Sequence, residues 1–247
     1  MENSELIKRA EDLSARCRRS GRLTQTNFLT PAERYQLESW AKRGGCEVIF
    51  SGGQEGCERT AAFFLPEWME PESFDVSEYI RAIRVTAYFG TPGHRDYMGA
   101  VLGMGVGREW IGDIRVDGDE AYIFCLPGVE RHLVTIDKVG RCGVKAVAVE
   151  LSEVPEPVRQ VKNVSFSVMS MRLDAVVGGM FDLSRTEAAK QIAYGNVSVN
   201  YSVSEKPDLA VKPGDVVSLR GAGKGTVAGT GGTSRKGRLF VYAEIYK

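Results

Sequence analysis

Residues 184–200 read SRTEAAKQIAYGNVSVN and decide the fold predicted for the C-terminal third of the chain. Ser184 is a favoured helix N-cap residue. Gly195 can end a helix in the left-handed conformation, and the β-branched segment Val197–Val199 comes almost directly after it. The stretch therefore predicts a capped helix followed by a short strand.

The residues around this stretch extend the same pattern. Met171–Met180 has the apolar spacing of a preceding helix. The turn Lys212-Pro-Gly-Asp215 leads into a predicted strand at Val216–Leu219, and Leu239–Tyr246 predicts a closing strand. Residues 165–247 are thus predicted to form one small domain of helices and strands.

Upstream, residues 76–152 alternate between strand and helix patterns, with Asp117-Gly118-Asp119 as a hairpin turn. The order βαββαβ is the split ferredoxin-like arrangement, which RNA-recognition-motif domains share with many unrelated proteins. It predicts a four-stranded sheet covered on one face by two helices. The predicted strands are Ile80–Phe89, Ile111–Val116, Ala121–Leu126 and Val144–Leu151, and the predicted helices are His94–Gly105 and Val129–Val139.

The N-terminal residues 1–43 have a helical pattern, in which Thr30-Pro31-Ala-Glu33 starts a second helix and Gly44-Gly45 ends it. Cys46–Phe50 and Ala61–Leu65 are predicted strands joined by a glycine-rich segment. The predicted fold class is α+β. Its predicted parts are an N-terminal helical and α/β domain at 1–75, an RNA-recognition-like βαββαβ domain at 76–152, a proline-containing linker at 153–164 and a C-terminal RNA-binding domain at 165–247.

The composition is that of a globular protein, since 43% of the 247 residues are hydrophobic and 26% are charged. No apolar run approaches the roughly 18 residues that cross a bilayer, and the N-terminus lacks the apolar segment of a signal peptide. The five cysteines are odd in number, widely spaced and form no CxxC pair, and the chain has two histidines. We therefore expect no disulfide framework, no metal site and no membrane span, and a cytoplasmic location.

Charge is distributed unevenly along the chain although 32 basic and 32 acidic residues balance overall. Residues 165–247 hold 11 basic and 7 acidic side chains, whereas residues 1–164 hold 21 and 25. From Val217 onward there are six basic residues and one acidic residue, Glu244. A basic C-terminal end on a neutral chain indicates an anionic partner.

The predicted helix that begins after Ser184 has the chemistry of a phosphate site. Its first turn offers backbone N–H groups, the positive end of the helix dipole and the guanidinium of Arg185. Lys190 and Gln191 follow one to two turns later, and Arg172 begins the neighbouring helix. The alternative for Arg185 and Lys190 is a solvated helix face with no ligand.

Four segments in this order resemble the S-four (S4) domain, the alpha-L RNA-binding motif of ribosomal protein S four, several pseudouridine synthases and bacterial tyrosyl-tRNA synthetases. The resemblance favours RNA binding over a merely solvated helix face. The segments that carry it are Arg172-Leu-Asp174, Ser184-Arg-Thr-Glu-Ala-Ala189 with Ile192, Gly195-Asn-Val-Ser-Val-Asn200, and Gly214-Asp-Val-Val-Ser-Leu219.

Further motifs extend the resemblance over nearly the whole chain. They are Arg220-Gly-Ala-Gly-Lys224, Ser234-Arg-Lys-Gly-Arg238, His94-Arg-Asp96, Gly103-Met-Gly105, Ile111-Gly-Asp-Ile114, Gly52-Gly53 and Glu58-Arg59. Together they are similar to the YlmH family of bacterial and plastid proteins. The resemblance implies an N-terminal α/β piece, an RNA-recognition-like middle and a C-terminal S4 domain. It also implies binding to the large ribosomal subunit carrying peptidyl-tRNA after a stall, a role in rescue or quality control, and a link to cell division through genomic setting.

The expected partners are therefore ribosomal RNA and tRNA, bound by a monomer. No catalytic residue, metal ligand or cofactor is predicted. The residues predicted to contact RNA are Arg172, Ser184, Arg185, Thr186, Lys190, Gln191, Asn200, Arg220, Lys224, Arg235, Lys236 and Arg238.

Two glycine-rich segments resemble cofactor loops. Gly221–Thr226 is similar to the end of a nucleotide-binding P-loop, but Ser218 and Gly225 stand where that motif needs Gly and Ser or Thr. We expect a basic flexible loop near the RNA backbone there, with a plain surface loop as the alternative. Gly103–Gly107 follows a predicted helix rather than a strand, which predicts helix termination and no dinucleotide site.

Three further features allow a functional and a structural interpretation. Asp174 resembles the catalytic aspartate of pseudouridine synthases, but its neighbours do not match, and a structural partnership with a nearby basic group is favoured. His94 is expected to begin a helix or contact a phosphate. Tyr122 and Phe124 alternate on one predicted strand, so they could stack on RNA bases or pack in a core.

The leading hypothesis is a non-enzymatic RNA-binding factor that acts on ribosomes. The alternatives are an RNA-modifying enzyme that is anchored by its S4 domain and an adaptor in cell division. An enzyme needs a convergent nucleophile, acid–base pair or cofactor loop, and the sequence offers no such group.

Overall fold

The computed structural model describes residues 3–44, 47–157 and 161–246. The chain divides into two compact units, residues 1–157 and 158–247. The first unit contains α1 (Asn3–Ser20), β1 (Thr24–Gln25), α2 (Pro31–Gly44), β2 (Val48–Ser51), β3 (Ala61–Phe64), β4 (Arg81–Ala87), α3 (His94–Gly103), β5 (Ile111–Asp117), β6 (Glu120–Cys125), α4 (Glu130–Leu133), β7 (Lys138–Val139) and β8 (Cys142–Val149). The second contains β9 (Val161–Val168), α5 (Leu173–Phe181), α6 (Arg185–Ala193), β10 (Val197–Val199), β11 (Ser202–Val203), β12 (Val216–Leu219), β13 (Gly223–Thr233) and β14 (Leu239–Tyr246).

The start of α2 has the predicted capping box. The Thr30 N–H donates to the Glu33 carboxylate at 2.8 Å, and the Glu33 N–H donates to the Thr30 hydroxyl at 3.3 Å. Beside it, β1, β3 and β2 form a three-stranded antiparallel sheet in that order. The strand predicted at Cys46–Phe50 is β2, which begins at Val48, and Cys46 lies outside the described residues.

The predicted βαββαβ order is confirmed in the middle of the first unit. Its antiparallel sheet has the order β5-β6-β4-β8-β7, which is the ferredoxin-like order with one short added strand. Tyr97 of α3 and Leu133 of α4 are fully buried against Ile83 and Ile123 of the sheet, so both helices cover one face. α3 ends at Gly103 and Met104 is its C-cap, which confirms that Gly103–Gly107 terminates the helix.

The opposite face of this sheet is partly covered by the N-terminal segment of the same unit. Tyr122 and Phe124 of β6 are buried, with 6% and 0% of their surface exposed. They pack in one core with Phe28 and Phe63. The core interpretation of these two aromatics is therefore correct, and the base-stacking interpretation is wrong.

The helix predicted at Val129–Val139 is shorter than expected. α4 ends at Leu133, and Val139 is a strand residue that pairs with Cys142. Gly140 adopts a φ of +58° in the turn between these residues, which reverses the chain into a hairpin. The buried Val139 side chain thus reaches the core from a strand rather than from a helix.

The second unit is a six-stranded antiparallel sheet in the order β11-β10-β12-β13-β14-β9. α5 and α6 pack through Val177, Met180 and Ile192 on its apolar face. β9 begins at Val161, inside the segment predicted as linker, because residues 161–168 pair in full with β14.

The flexible loop expected around Gly221–Thr226 is wrong, because β13 begins at Gly223 and pairs with both β12 and β14. Gly225 makes this pairing possible. A Cβ atom there would lie 2.4 Å from the Glu244 carbonyl oxygen and 2.9 Å from the Met180 side chain. The glycines therefore allow close packing in a sheet, and no helix follows the segment as a P-loop requires.

Candidate RNA-binding surface

The start of α6 is capped as predicted. The Ser184 hydroxyl accepts a hydrogen bond from the Glu187 N–H at 3.2 Å, and Ser184 itself is in an extended conformation. Arg185 and Thr186 are the first helical residues, and both are exposed. Their N–H groups belong to the first turn, which lacks intrahelical acceptors, so this end of α6 suits an anion.

Asp174 joins the starts of the two helices. Its carboxylate accepts from Arg172 Nε at 3.3 Å, from Arg172 Nη2 at 3.1 Å and from Arg185 Nε at 3.1 Å. The aspartate is 5% exposed, whereas the side chains of Arg172 and Arg185 are 39% and 63% exposed. A buried carboxylate thus orients two surface guanidinium groups, which confirms that Asp174 is the structural partner of a basic group.

The ionisation of Asp174 follows from this geometry. Burial raises its pKa, but the hydrogen bonds and positive charges of Arg172 and Arg185 outweigh burial and hold the pKa below the ordinary value of 3.8. The hydrogen bond to Asp174 raises the pKa of Arg172 in turn. At neutral pH the cluster therefore contains one carboxylate and two guanidinium ions, and its charge is positive.

We expect Asp174→Asn to lower the free energy of unfolding of the second unit by about 1–2 kcal/mol at neutral pH, because charge-assisted hydrogen bonds are lost while both arginines can still reach water. The folded-state pKa of Asp174 is depressed, so its contribution is present above about pH 4 and is lost as the pH falls through the depressed pKa. Hydrogen exchange of α5 and α6 at pH 7 and pH 3 measures the difference. Glu205→Gln, which changes the same charge at an exposed position, is the control. A loss of protection that is equal at both pH values would contradict this prediction.

The remaining predicted residues of this region lie farther along the fold. Lys190 pairs with Glu187 at 3.9 Å on the exposed side of α6. The Gln191 amide donates to Glu187 at 2.9 Å and accepts from Asn196 at 2.8 Å. Its hydrogen bonds therefore hold the end of α6 to the turn that follows.

Asn200 also makes internal hydrogen bonds. Its amide nitrogen donates to Asp215 at 2.8 Å, and its amide oxygen accepts from the Val216 N–H at 2.9 Å. Asn200 and Tyr201 both have positive φ, +48° and +66°, as the tight turn between β10 and β11 requires. The side chain of Asn200 thus fastens this hairpin to β12.

The other predicted cations lie on or beside the strands. Lys224 is on β13, Arg220 is exposed after β12, and Arg235 and Lys236 are exposed between β13 and β14. Arg238 donates from Nε to the Ser167 hydroxyl at 3.0 Å and from Nη2 to the Ser167 carbonyl oxygen. The structure therefore places two groups of predicted residues in different parts of the unit. The helix-end group, at the starts of α5 and α6, is Arg172, Ser184, Arg185 and Thr186. The strand group, on or beside β12, β13 and β14, is Arg220, Lys224, Arg235, Lys236 and Arg238.

Sequence reasoning missed the aromatic residues beside the strand group. Phe240 and Tyr242 are 40% and 49% exposed, while the intervening Val241 and the following Ala243 are buried. The signal was present in the segment Arg-Leu-Phe-Val-Tyr-Ala-Glu-Ile-Tyr, residues 238–246, where aromatic and charged residues alternate with apolar ones.

Motifs in the first unit hold its parts together. The N–H groups of Glu58 and Arg59 donate to the Asp113 carboxylate at 2.7 and 3.0 Å. The Arg59 guanidinium donates to the carbonyl oxygens of Ile111 and Phe28 at 3.0 and 3.1 Å. Glu58-Arg59 and Ile111–Ile114 therefore fasten the N-terminal segment to the middle sheet.

His94 is the first residue of α3, as expected. Gly93 is the N-cap, and its N–H donates to the Asp96 carboxylate at 2.8 Å. Asp96 thus serves as a helix cap.

The described residues offer no cluster of three or more His, Cys, Asp or Glu side chains that could hold a metal ion. Cys57, Cys125 and Cys142 are free thiols, and burial raises the pKa of Cys125 to about 12. Within the described part of the chain, no helix is both long enough and apolar enough to span a membrane.

A ferredoxin-like sheet in the first unit, followed by the helices and strands of an alpha-L motif in the second, is typical of modular RNA-binding proteins. Comparison with known proteins agrees. The family model described as "Putative RNA-binding domain in YlmH" matches residues 71–153, and the S4 domain model matches residues 171–217. The ribosome-associated protein quality control protein P2 of Bacillus subtilis is 30% identical over 228 residues, which are 92% of this chain and 88% of that protein. The chain therefore belongs to the YlmH family, as the sequence predicts.

Among solved structures, the cell division protein ylmH from Streptococcus pneumoniae is similar to this chain with a TM-score of 0.49 and 23% identity. The similarity covers 62% of this chain and 89% of that one.

Proposed function

We propose that this protein is a non-enzymatic factor that binds ribosomal RNA and tRNA on the large ribosomal subunit and acts in the rescue or quality control of stalled translation. It does so as a cytoplasmic monomer. The observation that carries the proposal is the pair of exposed guanidinium groups, Arg172 and Arg185, which Asp174 holds at the meeting point of two helix starts. Action on the ribosome is supported by the similarity to the ribosome-associated protein quality control protein of Bacillus subtilis.

The helix-end group has the chemistry of a phosphate contact. N–H groups and the positive end of the α6 dipole favour an anion, and a guanidinium can add two parallel hydrogen bonds to phosphate oxygens. Such contacts position a protein on RNA without reading its bases. The proposed ligand is therefore folded RNA recognised by its shape, such as a ribosomal RNA helix or junction.

The candidate groups for chemistry all have structural partners, which supports a non-enzymatic role. Asp174 is bound by two arginines, and Gly223–Thr226 are strand residues. His94 begins a capped helix. The alternative of an RNA-modifying enzyme predicts modified nucleosides after incubation of purified protein with ribosomal RNA or tRNA, and we expect mass spectrometry of the digested RNA to find none.

Arg185→Ala is the sharpest test, because the helix dipole and the side chain act at the same place. We expect the variant to bind isolated large ribosomal subunits more weakly and the slope of log affinity against log salt to flatten by about one unit. Cosedimentation over a series of salt concentrations measures both quantities.

Arg16→Ala is the matched control, since it removes the same charge from an exposed position on α1 in the other unit. Far-ultraviolet circular dichroism establishes that both variants are folded. If folded Arg185→Ala sedimented with large subunits like the wild type at every salt concentration, the helix-end group would not be the main RNA contact.

A further inference from the structure

The outer face of the second unit's sheet carries a row of aromatic side chains. The helices α5 and α6 cover the other face, where Val241 and Ala243 are buried. Because side chains alternate along a strand, Phe240, Tyr242 and Tyr246 share the face that the helices leave uncovered.

The strands on either side place small or hydroxylated residues beside these rings. Across β9, Ser167 lies opposite Phe240 and Ser165 lies opposite Tyr242. On the β13 side, a Cβ atom at Gly231 would lie 3.0 Å from the Tyr242 ring, so the glycine leaves room for the ring. Large side chains at these positions would shield the rings, whereas serine and glycine leave them accessible to a flat ligand.

Basic residues flank the row of rings at both ends. Lys224 is opposite Tyr246 on β13, and Arg238 precedes Phe240 by two positions and is held over β9 by Ser167. Residues 217–247 contain six basic residues and one acidic residue, Glu244, which lies on the same face between Tyr242 and Tyr246, so the net charge around the face is positive and favours a polyanion.

We propose that this face, defined by Phe240, Tyr242, Tyr246, Lys224 and Arg238, binds unpaired RNA nucleotides. Bases stack on the Phe240 and Tyr242 rings, and the two cations contact the backbone phosphates. Base–aromatic stacking beside cations is the usual way in which proteins hold single-stranded nucleic acid. The proposal extends the proposed function, because it adds a contact for single strands to the helix-end group, which suits folded RNA.

The experiment measures binding of a fluorescein-labelled single-stranded RNA of about ten nucleotides by fluorescence anisotropy. The test protein carries Phe240→Thr and Tyr242→Thr together, because threonine keeps the strand propensity and removes the rings. Tyr194→Ala is the control, since it removes a tyrosine that is 74% exposed at the end of α6. We expect the double variant to lose at least about tenfold in affinity, and the control to bind like the wild type. Ultraviolet cross-linking followed by mass spectrometry should place the linked nucleotide on the peptide that contains Tyr242.

The outcomes separate this proposal from the proposed function. The proposal is supported if the double variant binds single strands more weakly but still cosediments with large subunits at low salt. We expect Arg185→Ala, in contrast, to bind large subunits more weakly and single strands like the wild type. The proposal is overturned if the wild type does not bind the single strand, or if the folded double variant binds it with unchanged affinity. It is also overturned if the double variant loses the ribosome but keeps the single strand, because the face would then dock a protein. If the double variant loses single-strand binding while Arg185→Ala binds large subunits like the wild type, the proposed role of the helix-end group is wrong and the proposal for this face stands.

Discussion

Phe124→Ala is expected to lower the free energy of unfolding of the first unit by about 3–5 kcal/mol, because a fully buried phenylalanine is replaced by a cavity. The ring of Phe124 has neighbours on every side. A Cβ atom at Gly53 would lie 2.8 Å from it, and the Arg115 guanidinium lies over its face at 4.9 Å from the ring centroid. In the alanine variant these neighbours can close the space left by the ring only in part, so the cavity should remain largely open.

The measurement can follow the first unit alone. All three tryptophans, Trp40, Trp68 and Trp110, lie in that unit, so tryptophan fluorescence during urea denaturation reports its unfolding. Tyr88→Ala is the matched control, because it removes an aromatic ring that is 69% exposed just after β4. We expect the control to change the free energy of unfolding by less than about 1 kcal/mol.

This prediction also separates the two interpretations of the aromatic residues on β6. A base-stacking phenylalanine on an open sheet face could be removed with little effect on folding and a large effect on RNA binding. A Phe124→Ala protein that unfolded at the wild-type urea concentration would therefore contradict the packing described above.

Sequence alone predicted the elements that depend on neighbouring residues. Ser184 caps α6 through a hydrogen bond to a residue three positions away, and Thr30 and Glu33 cap α2 in the same way. The βαββαβ order follows from the spacing of apolar residues and from the Asp117-Gly118-Asp119 turn. In these cases the information lies within a few residues of the structure it determines.

Sequence could not predict contacts between distant segments. Whether Phe124 is a stacking platform or a core residue depends on Phe28 and Phe63, which are 96 and 61 positions away and cover the sheet. Likewise, Gly223–Thr233 has the composition of a loop and becomes a strand because β12 and β14 provide partners on both sides. The open question at Phe124 and the wrong loop prediction at Gly221–Thr226 both lie where tertiary contacts decide the structure.

The candidate RNA-binding residues show the same division. The residues next to Arg185 predict that it lies beside a helix start. Its hydrogen bond to Asp174 could not be predicted in the same way, because it joins two helices across an intervening turn. Phe240 and Tyr242 were within a correctly predicted strand. Which face of that strand is covered by helices is a property of the whole unit.

The second large effect is expected at Arg59, where we predict that Arg59→Ala lowers the free energy of unfolding of the first unit by about 2–4 kcal/mol. The Arg59 guanidinium donates to the carbonyl oxygens of Ile111 and Phe28, and to that of Arg108 at 3.3 Å. These acceptors come from two segments, since Phe28 lies in the N-terminal segment and Arg108 and Ile111 lie just before and at the start of β5. An alanine would leave their oxygens without this charged donor. Burial lowers the pKa of Arg59, and nearby Glu33, Asp113 and Glu109 only partly counter that effect, but an arginine remains charged at neutral pH.

Arg59→Lys tests whether geometry rather than charge explains the effect. A guanidinium presents several donors in a fixed plane, whereas an ammonium group is a single point that cannot reach the same acceptors together. We expect the lysine variant to recover less than half of the lost stability in urea denaturation followed by tryptophan fluorescence. The exposed Arg16→Ala should leave the curve unchanged. Full recovery of stability by Arg59→Lys would mean that charge alone suffices. If Arg59→Ala instead kept wild-type stability but flattened the salt dependence of ribosome binding, Arg59 would be an RNA contact. It would then not join the N-terminal segment to the middle sheet.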